Sequence, residues 1–252
     1  MTGPSPVGAK SFEAVAREWD AIASIRHEQI VSGRDLSYNL VLMPAVRGLC
    51  AGVETRRALD IGCGSGVLTK ELSFLFESVR GVDVSGRAIE IARSYCADRP
   101  NVHFDSCSVE ALARDDPRPQ FTLVVANMVL MDALDLRAIL QAAHALLAPK
   151  GCLVATLTHP CYWPDHAGYA GCDWFRYSRD IVVETPFRIS LEALPYVTTH
   201  VHRPLERYVT SLADAGFLVE RVSEPMPDAR AEKAYPAPWR YPRFLALRCR
   251  RD

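Results

Sequence analysis

The strongest constraint on the fold is a regular alternation of short apolar runs with helical segments in the middle of the chain. Runs bounded by turn residues predict five strands, at residues 58–61, 79–84, 102–105, 121–126 and 153–157. Helical spacing of apolar residues between those runs predicts three helices, at residues 67–76, 89–96 and 136–147. Strands that alternate with helices in this way form a parallel sheet covered on both faces. We therefore predict an α/β fold for this part of the chain.

Two helical segments precede the alternation. Residues 11–32 predict an amphipathic helix that Gly33 ends, and residues 38–49 predict a second helix, which Pro44 interrupts or begins anew. Residues 1–10 contain several Gly and Pro residues and lack the apolar region of a secretory signal. We expect these first residues to form a disordered tail.

The alternation breaks at residues 159–202, which are rich in aromatic residues, histidine and proline. It resumes with a helix at 205–215, a strand near Val219 and a final strand at 244–247. The irregular segment directly follows the fifth predicted strand. We therefore expect residues 159–202 to be an insertion that overhangs the carboxyl end of the sheet.

Composition limits the classes of function. The chain has 252 residues, of which 49% are hydrophobic and 23% charged, so it can bury a full core. A net charge of -1 argues against a protein built mainly to grip a phosphate backbone, because that needs a basic surplus. No apolar run approaches the roughly 20 residues that span a bilayer, and the eight cysteines form no C-x-x-C pair. We expect a cytoplasmic protein with free thiols, no membrane contact and no metal.

A glycine-rich turn joins the first predicted strand to the helix that follows it. Residues 59–66 read Leu-Asp-Ile-Gly-Cys-Gly-Ser-Gly, and Asp83 ends the next predicted strand. Glycines allow a sharp turn and the close approach of a ligand. A carboxylate such as that of Asp83 can accept hydrogen bonds from both hydroxyls of a ribose. Since the ligand crevice of an open sheet lies at the carboxyl ends of its strands, these features predict one nucleotide-type site.

Two other interpretations of this turn are compatible with its residues. Asp60 and Asp83 could simply cap helices, although both lie at strand ends on the ligand side. A nicotinamide dehydrogenase would require G-x-G-x-x-G, whereas the turn here is G-x-G-x-G. The acidic residue before the turn also favours a ligand with a cationic amino group.

In these residues the chain resembles the small-molecule type of class I S-adenosylmethionine (SAM)-dependent methyltransferases. Residues 59–66 match the first motif of that family, residues 81–85 the second, and residues 147–151 the turn before its fifth strand. The resemblance implies a doubly wound, mostly parallel seven-stranded sheet over residues 57–252, with an N-terminal helical lid over residues 11–56. It also implies SAM as cofactor and methyl transfer to a small-molecule acceptor.

The resemblance assigns cofactor contacts to ten residues. The methionine end of SAM would contact the first turn, the ribose and adenine the second motif and the segment after the third strand, and the end of the fourth strand would complete the site. The residues are Asp60, Gly62, Gly64, Gly66, Asp83, Val84, Ser108, Val109, Asn127 and Met128. Ser108 stands where the family usually has Asp.

The acceptor site is expected where the insertion and the lid meet the crevice, in a mostly apolar pocket with few polar groups. Such a pocket suits a largely apolar or aromatic metabolite. The candidate acceptor-binding residues are Trp19, Tyr38, Asn39, Tyr162, Trp163 and Tyr177. Core packing is the alternative for Trp19 and Tyr38.

Three histidines are candidate catalytic bases, because a neutral imidazole can take a proton from a hydroxyl or an amine. His159 comes first, since it directly follows the fifth predicted strand; His200 and His202 share one face of an extended segment. Structural hydrogen bonding is the alternative role for all three. Metal binding by His200 and His202 is not expected, because no nearby carboxylate has suitable spacing.

Two further functions are compatible with the same motifs. Aromatic residues in the insertion and arginines near the C-terminus would suit an RNA (tRNA) methyltransferase, since bases stack on aromatic rings. Near-neutral net charge disfavours this interpretation. A SAM-binding cyclase or regulatory protein without methyl transfer would carry the same cofactor motifs. A homodimer is an assembly that the sequence leaves open.

Overall fold

The structure is a computed structural model that describes residues 3–189 and 192–252. Its strands are β1 (Ser5–Pro6), β2 (Arg57–Ile61), β3 (Ser78–Asp83), β4 (Val102–Ser106), β5 (Phe121–Asn127), β6 (Leu147–Thr158), β7 (Ile181–Ile189), β8 (Glu192–His202), β9 (Phe217–Ser223) and β10 (Phe244–Arg251). Its α-helices are α1 (Phe12–Val31), α2 (Met43–Cys50), α3 (Val67–Leu72), α4 (Gly86–Tyr95), α5 (Val109–Asp115), α6 (Leu136–Leu146), α7 (Trp163–Ala167), α8 (Leu205–Asp214) and α9 (Ala229–Glu232).

A seven-stranded sheet forms the centre of the molecule, in the order β4-β3-β2-β5-β6-β10-β9. The strands from β4 to β6 pair in parallel, and β10 pairs antiparallel with both β6 and β9. Residues 121–126 of β5, at the middle of the sheet, are all buried, as expected for a parallel strand covered on both faces. The predicted doubly wound, mostly parallel seven-stranded sheet is confirmed.

Polar residues directly before several helices cap their first turns. Ser85 accepts a hydrogen bond from the backbone N–H of Ala88 at the start of α4, and Asp135 caps α6 in the same way. Such caps satisfy N–H groups that have no partner within the helix. Helix α5, which the spacing of apolar residues does not indicate, is capped in the same way by Ser108.

The insertion contains a second sheet rather than irregular chain alone. Strands β7 and β8 pair antiparallel, and β1 joins the free edge of β7 to complete a three-stranded sheet. The backbone N–H of Val7 extends this pairing to Val182. The expectation of a disordered tail is therefore corrected for residues 5–7, whose backbone groups are held by β7.

Helix α1 and the residues after it stand before the central sheet in the chain, as expected. The second predicted helix is divided, because residues Tyr38–Leu42 form a π-helical turn and α2 begins at Met43, with Pro44 in its first turn. Proline is tolerated there because the N–H groups of a first turn need no helical acceptor. Among the described residues, no helix combines the length and apolar character required to cross a bilayer.

Candidate functional site

A cavity of about 850 Å³ lies at the carboxyl ends of the central strands. One part of its wall is the glycine turn after β2, the end of β3 and the end of β5. The other part consists of side chains from α1, α7, the β7–β8 hairpin and the residues before β10. The volume falls near the upper end of the roughly 300–1,000 Å³ typical of small-molecule pockets.

The glycine turn is shaped by three left-handed residues, Gly62, Gly64 and Gly66, whose φ angles are 62°, 53° and 79°. A Cβ on Gly64 would point into open space, which leaves the backbone accessible to a ligand. A Cβ on Gly62 would lie 2.5 Å from a methyl group of Val129, so this glycine also serves packing. Gly66 packs against Ala92 and lies outside the cavity wall, which corrects its expected ligand contact.

The Asp83 carboxylate connects the end of β3 to the glycine turn. Its Oδ2 accepts a hydrogen bond from the Gly64 N–H at 2.8 Å, and its Oδ1 accepts one from the Ser85 N–H at 2.8 Å. Burial raises its pKa, which these backbone hydrogen bonds oppose. Each carboxylate oxygen has two acceptor positions, so Asp83 retains capacity for two hydroxyl donors from the cavity.

Asp60 is a second buried carboxyl in the cavity wall, at the end of β2. Its Oδ2 accepts a 2.7 Å hydrogen bond from the hydroxyl of Thr69 on α3. Desolvation and, to a smaller extent, the negative charge of Asp83 raise the pKa of Asp60 to about 7, although the hydrogen bond from Thr69 opposes this rise. A cationic ligand group beside Asp60 would offset both effects by stabilising the carboxylate.

The remaining predicted cofactor residues, Val84, Ser108, Val109, Asn127 and Met128, all line the cavity. Asn127 is held by Thr156, whose hydroxyl donates to Asn127 Oδ1 at 2.6 Å. Met128 has a φ of 60°, which turns the chain sharply after β5. The Ser108 hydroxyl accepts from the Ala111 N–H and is therefore a helix cap as well as a wall residue.

Three of the six predicted acceptor-binding residues, Trp19, Tyr38 and Trp163, line the cavity. The other three lie outside its wall. The Asn39 amide donates to the backbone carbonyls of Ile30 and Asp35, Tyr162 stacks on Tyr241, and the Tyr177 hydroxyl accepts from the Leu205 N–H. The predicted contacts of Asn39, Tyr162 and Tyr177 with an acceptor are thus corrected, because each side chain is occupied elsewhere.

His159, the first candidate base, does not line the cavity. Its Nδ1 accepts from the Cys161 N–H at 3.2 Å, and its Nε2 lies 2.8 Å from Glu224 Oε1, to which it donates. Because both ring nitrogens are occupied in a ring that is only 2% exposed, His159 is a structural residue. This corrects the expectation that it lies nearest the reacting groups.

The other two histidines differ in position. His202 lies outside the wall and donates from Nε2 to the carbonyl of Tyr177 at 3.0 Å, which also corrects its expected role. His200 lines the cavity, but its nitrogens contact the Tyr169 hydroxyl at 3.2 Å and the Thr185 hydroxyl at 3.3 Å. Desolvation, with a smaller effect from His202, lowers the pKa of His200 to about 4. His200 is therefore a neutral, fully hydrogen-bonded wall residue.

Among the cavity residues that were not predicted from the sequence, Asp132, His166 and Arg243 have ionisable side chains that bear on the chemistry. Asp132 lies five residues beyond β5, and no described residue donates a hydrogen bond to its carboxyl group. Desolvation raises the pKa of Asp132 well above its ordinary value; the charge of Glu18 adds to the rise and that of Arg203 opposes it. Proximity to a strand end could have indicated Asp132, whereas His166 and Arg243 come from segments without such a signal.

Helix α1 is held over this cavity by side-chain contacts with strands β7 and β8. Glu18 accepts from the backbone N–H of Thr199 in β8 at 2.9 Å, and Lys10 forms ion pairs with Glu18 and Glu184. Trp19 packs edge-on against Phe187 of β7, with ring centroids 6.5 Å apart. These contacts close one side of the cavity with apolar and aromatic surface.

Comparison with known proteins agrees with this geometry. Residues 59–153 match a family described as a methyltransferase domain. The chain is 29% identical over 145 residues to the ubiquinone biosynthesis O-methyltransferase of Paracidovorax citrulli, covering 57% of each protein. It is 27% identical over 188 residues to the malonyl-[acyl-carrier protein] O-methyltransferase of Halalkalibacterium halodurans, covering 70% of this chain and 69% of that protein. The chain thus spans little more than half the length of the first relative.

Solved structures share the fold at low sequence identity. The 1,6-didemethyltoxoflavin-N1-methyltransferase of Burkholderia thailandensis, bound to 1,6-didemethyltoxoflavin and S-adenosylhomocysteine, gives a TM-score of 0.61 at 19% identity. That likeness covers 98% of this chain and 94% of the other. A SAM-dependent methyltransferase from Mesorhizobium loti gives a TM-score of 0.60 at 21% identity, covering 82% of this chain and 96% of the other.

Proposed function

We propose that this chain is a class I SAM-dependent methyltransferase that transfers a methyl group from SAM to a small-molecule acceptor. The acceptor is a largely apolar or aromatic metabolite. The observation that carries the proposal is one continuous cavity whose wall joins Asp83 and the glycine turn to the aromatic side chains of Trp19, Trp163 and Phe187. Such a cavity has room for two reactants side by side.

The residues present fit SAM as cofactor. The open space above Gly64 admits a ligand against the backbone, and the free acceptor positions of Asp83 suit the two hydroxyls of a ribose. The raised pKa of Asp60 indicates a site that a cationic amino group would stabilise. Val84 and Val109 provide apolar wall for an adenine ring. When bound, SAM supplies an electrophilic methyl group on a sulfonium sulfur.

The protein's own contribution is mainly positioning. Helix α1, held to β8 through Glu18 and Thr199, keeps the acceptor against the ends of the central strands and keeps water out. Walls such as Met131 and Trp163 restrict the orientations that an aromatic acceptor can adopt. Alignment of two reactants in this way removes much of the entropic barrier to transfer.

An acceptor hydroxyl or amine must also lose a proton. Asp132 supports that role, because its carboxyl group lines the cavity without a hydrogen-bond donor from the described residues. Its raised pKa favours proton uptake at a carboxylate oxygen. His200 lacks this capacity, since the Tyr169 and Thr185 hydroxyls occupy both of its nitrogens. We assign Asp132 as the general base in place of the three histidines.

Two measurements test the function. Calorimetry is expected to detect micromolar binding of SAM and S-adenosylhomocysteine and negligible binding of NAD. Radiolabelled SAM is then incubated with a panel of small aromatic and apolar compounds and, separately, with tRNA. Label transferred to tRNA alone would favour the RNA alternative, whereas binding of SAM with no transfer across the panel would favour the cyclase or regulatory alternative. Binding of NAD without binding of either sulfur ligand would reject the proposal.

A further inference from the structure

Arg243 brings a positive charge to the cavity wall. It immediately precedes β10, and its guanidinium carbon lies 4.1 Å from the ring centroid of Trp239 and 5.8 Å from that of Tyr235. No carboxylate of the described residues pairs with it. Arg26, another arginine of the wall, forms a 2.9 Å ion pair with Asp35. The contrast identifies Arg243 as a cavity cation to which the described residues supply no counter-ion.

His166 on α7 stands beside this guanidinium. Its ring packs at 5.0 Å from the ring of Trp163 and lines the same cavity. Desolvation, together with a smaller effect from the positive charge of Arg243, lowers the pKa of His166 to about 4. The imidazole is therefore neutral near pH 7 and has one N–H to donate. Within the described part of the chain, no side chain or backbone group hydrogen-bonds to this ring.

The position of Arg243 and His166 in the fold places them near the expected acceptor site. Phe244, the residue after Arg243, pairs with Thr158 at the carboxyl end of β6, and Thr156 of the same strand pairs with Asn127 at the end of β5. Arg243 therefore lies at the edge of the sheet where ligands of open α/β sheets bind. The aromatic rings of Trp163 and Phe244, with centroids 6.3 Å apart, line the same cavity.

We infer that the acceptor carries a carboxylate, which Arg243 binds through its guanidinium while His166 donates a further hydrogen bond. The inference rests on the proposed function, since it names a group on the molecule that is methylated. A guanidinium stacked on an indole keeps its edge N–H groups free, and that planar edge matches the two oxygens of a carboxylate. Stacking on Trp239 therefore orients Arg243 for such a ligand.

Charge balance favours a monoanion. Arg243 supplies one positive charge, His166 is neutral, and the surrounding wall is aromatic. A dianionic phosphate would keep an uncompensated charge in this environment, which is costly away from water. A carboxylate, with a single negative charge, leaves no uncompensated charge beside Arg243. The carboxylate is the anchor, and the methylated atom lies elsewhere on the acceptor, toward Asp132.

The test uses two probes of the same shape, naphthalene-2-carboxylate and naphthalene-2-carboxamide, titrated into the full chain saturated with S-adenosylhomocysteine. The wild type is expected to bind the acid about tenfold or more tightly than the amide, because a charged hydrogen-bonded pair replaces a neutral one. Arg243→Met should reduce acid binding to the level of the amide. Arg243→Lys should retain part of the preference, since it keeps the charge and loses the planar fork.

Arg240→Gln is the matched control, because Arg240 is exposed, lies three residues away and is not part of the cavity wall. It should leave both affinities unchanged. Equal binding of acid and amide by the wild type, absence of acid binding, or an intact preference in folded Arg243→Met would overturn the inference. Tighter binding of 2-naphthyl phosphate than of the carboxylate would also overturn it. Failure of the proposed function itself would show separately, as absent binding of S-adenosylhomocysteine.

Discussion

The Asp20 carboxylate of α1 accepts a 2.6 Å hydrogen bond from the hydroxyl of Ser85, the residue that caps α4. The same Ser85 donates its backbone N–H to Asp83 Oδ1 at 2.8 Å. Asp20 also accepts from the Arg87 N–H at 3.1 Å. The helix above the cavity is thereby connected, through one serine, to the carboxylate proposed to bind the ribose.

This connection predicts that loosening α1 weakens retention of the cofactor. Asp20→Ala removes two hydrogen bonds, at about 1 kcal/mol each, and should speed dissociation of S-adenosylhomocysteine several-fold in stopped-flow fluorescence. Asp20→Asn keeps an acceptor oxygen and should have a smaller effect. Arg17→Ala, at an exposed position of the same helix, is the control. Unchanged dissociation in Asp20→Ala would exclude α1 as a lid.

Asp83→Asn tests the ribose assignment more directly. It should weaken binding of S-adenosylhomocysteine by about 2–3 kcal/mol, because the hydroxyls lose a charged acceptor. The amide group must also turn its NH₂ toward either the Gly64 or the Ser85 N–H, so a modest loss of thermal stability is expected. Asp105→Asn, at the neighbouring strand end, should leave affinity unchanged in calorimetry. An unaltered dissociation constant in folded Asp83→Asn would reject the assignment.

The part of the site that could be predicted from sequence is the part governed by local rules. Asp60, Asp83 and Asn127 follow apolar runs directly, and parallel strands bring their carboxyl ends to one edge. The direction of a side chain just past such an edge is set by remote contacts instead. His159 turns away because Glu224, from a distant loop, binds its ring.

The hairpin in the insertion cannot be predicted from local sequence for a related reason. Strands β7 and β8 contain Pro186 and Pro195, residues that lower the strand preference of a segment because they lack an N–H donor. The pairing of these strands compensates, with Pro186 set opposite Val197 in the ladder. Likewise, β1 forms only because the edge of β7 is available. Neither the pairing of β7 with β8 nor that of β1 with β7 can be predicted from the local sequence pattern.

Asp60 predicts a pH dependence of stability. Its pKa of about 7 in the folded protein lies above the ordinary value for Asp, so the folded state binds a proton that the unfolded state has released. The contribution of Asp60 to stability is therefore fully present below about pH 4 and is lost as the pH rises through about 7. Thermal unfolding of the ligand-free protein should show a larger fall in Tm between pH 5 and 8 for the wild type than for Asp60→Asn.

Asp214→Asn, an exposed position on α8, removes the same formal charge and should preserve the pH dependence of the wild type. The carboxylate form of Asp60 is the one that suits a cationic amino group. Affinity of the wild type for S-adenosylhomocysteine should accordingly rise with pH through about 7, and this rise should vanish in Asp60→Asn. A pH-independent affinity in the wild type would contradict the proposed contact.

His159→Ala should act on stability and leave chemistry intact. Loss of the hydrogen bonds to Glu224 and the Cys161 N–H in a buried ring should cost about 1–3 kcal/mol, measured as a lower midpoint of denaturation. Turnover per folded molecule should change less than about threefold, since the ring does not line the cavity. His103→Ala, at an exposed position on β4, serves as control. A hundredfold loss of turnover at unchanged stability would restore His159 as the base.

Asp132→Asn separates a catalytic from a structural role. With an acceptor found in the transfer panel, kcat should fall by about 10²-fold or more, because the amide cannot take up the acceptor's proton. The dissociation constant of S-adenosylhomocysteine should stay within about twofold. Stability at pH 8 should be unchanged or higher, since the wild type holds a desolvated carboxylate to which no described residue donates a hydrogen bond.

Asp135→Asn provides the matched control three residues further on, because Asp135 caps α6 through the Ala138 N–H at 3.0 Å and asparagine preserves that cap. It should retain nearly full turnover. The pH profile gives an independent readout. Wild-type kcat should rise with pH as Asp132 loses its proton, whereas the residual activity of Asp132→Asn should not show this rise. A variant that loses stability in proportion to activity, with the pH profile of the wild type, would mark Asp132 as structural and leave proton removal to the acceptor's own acidity.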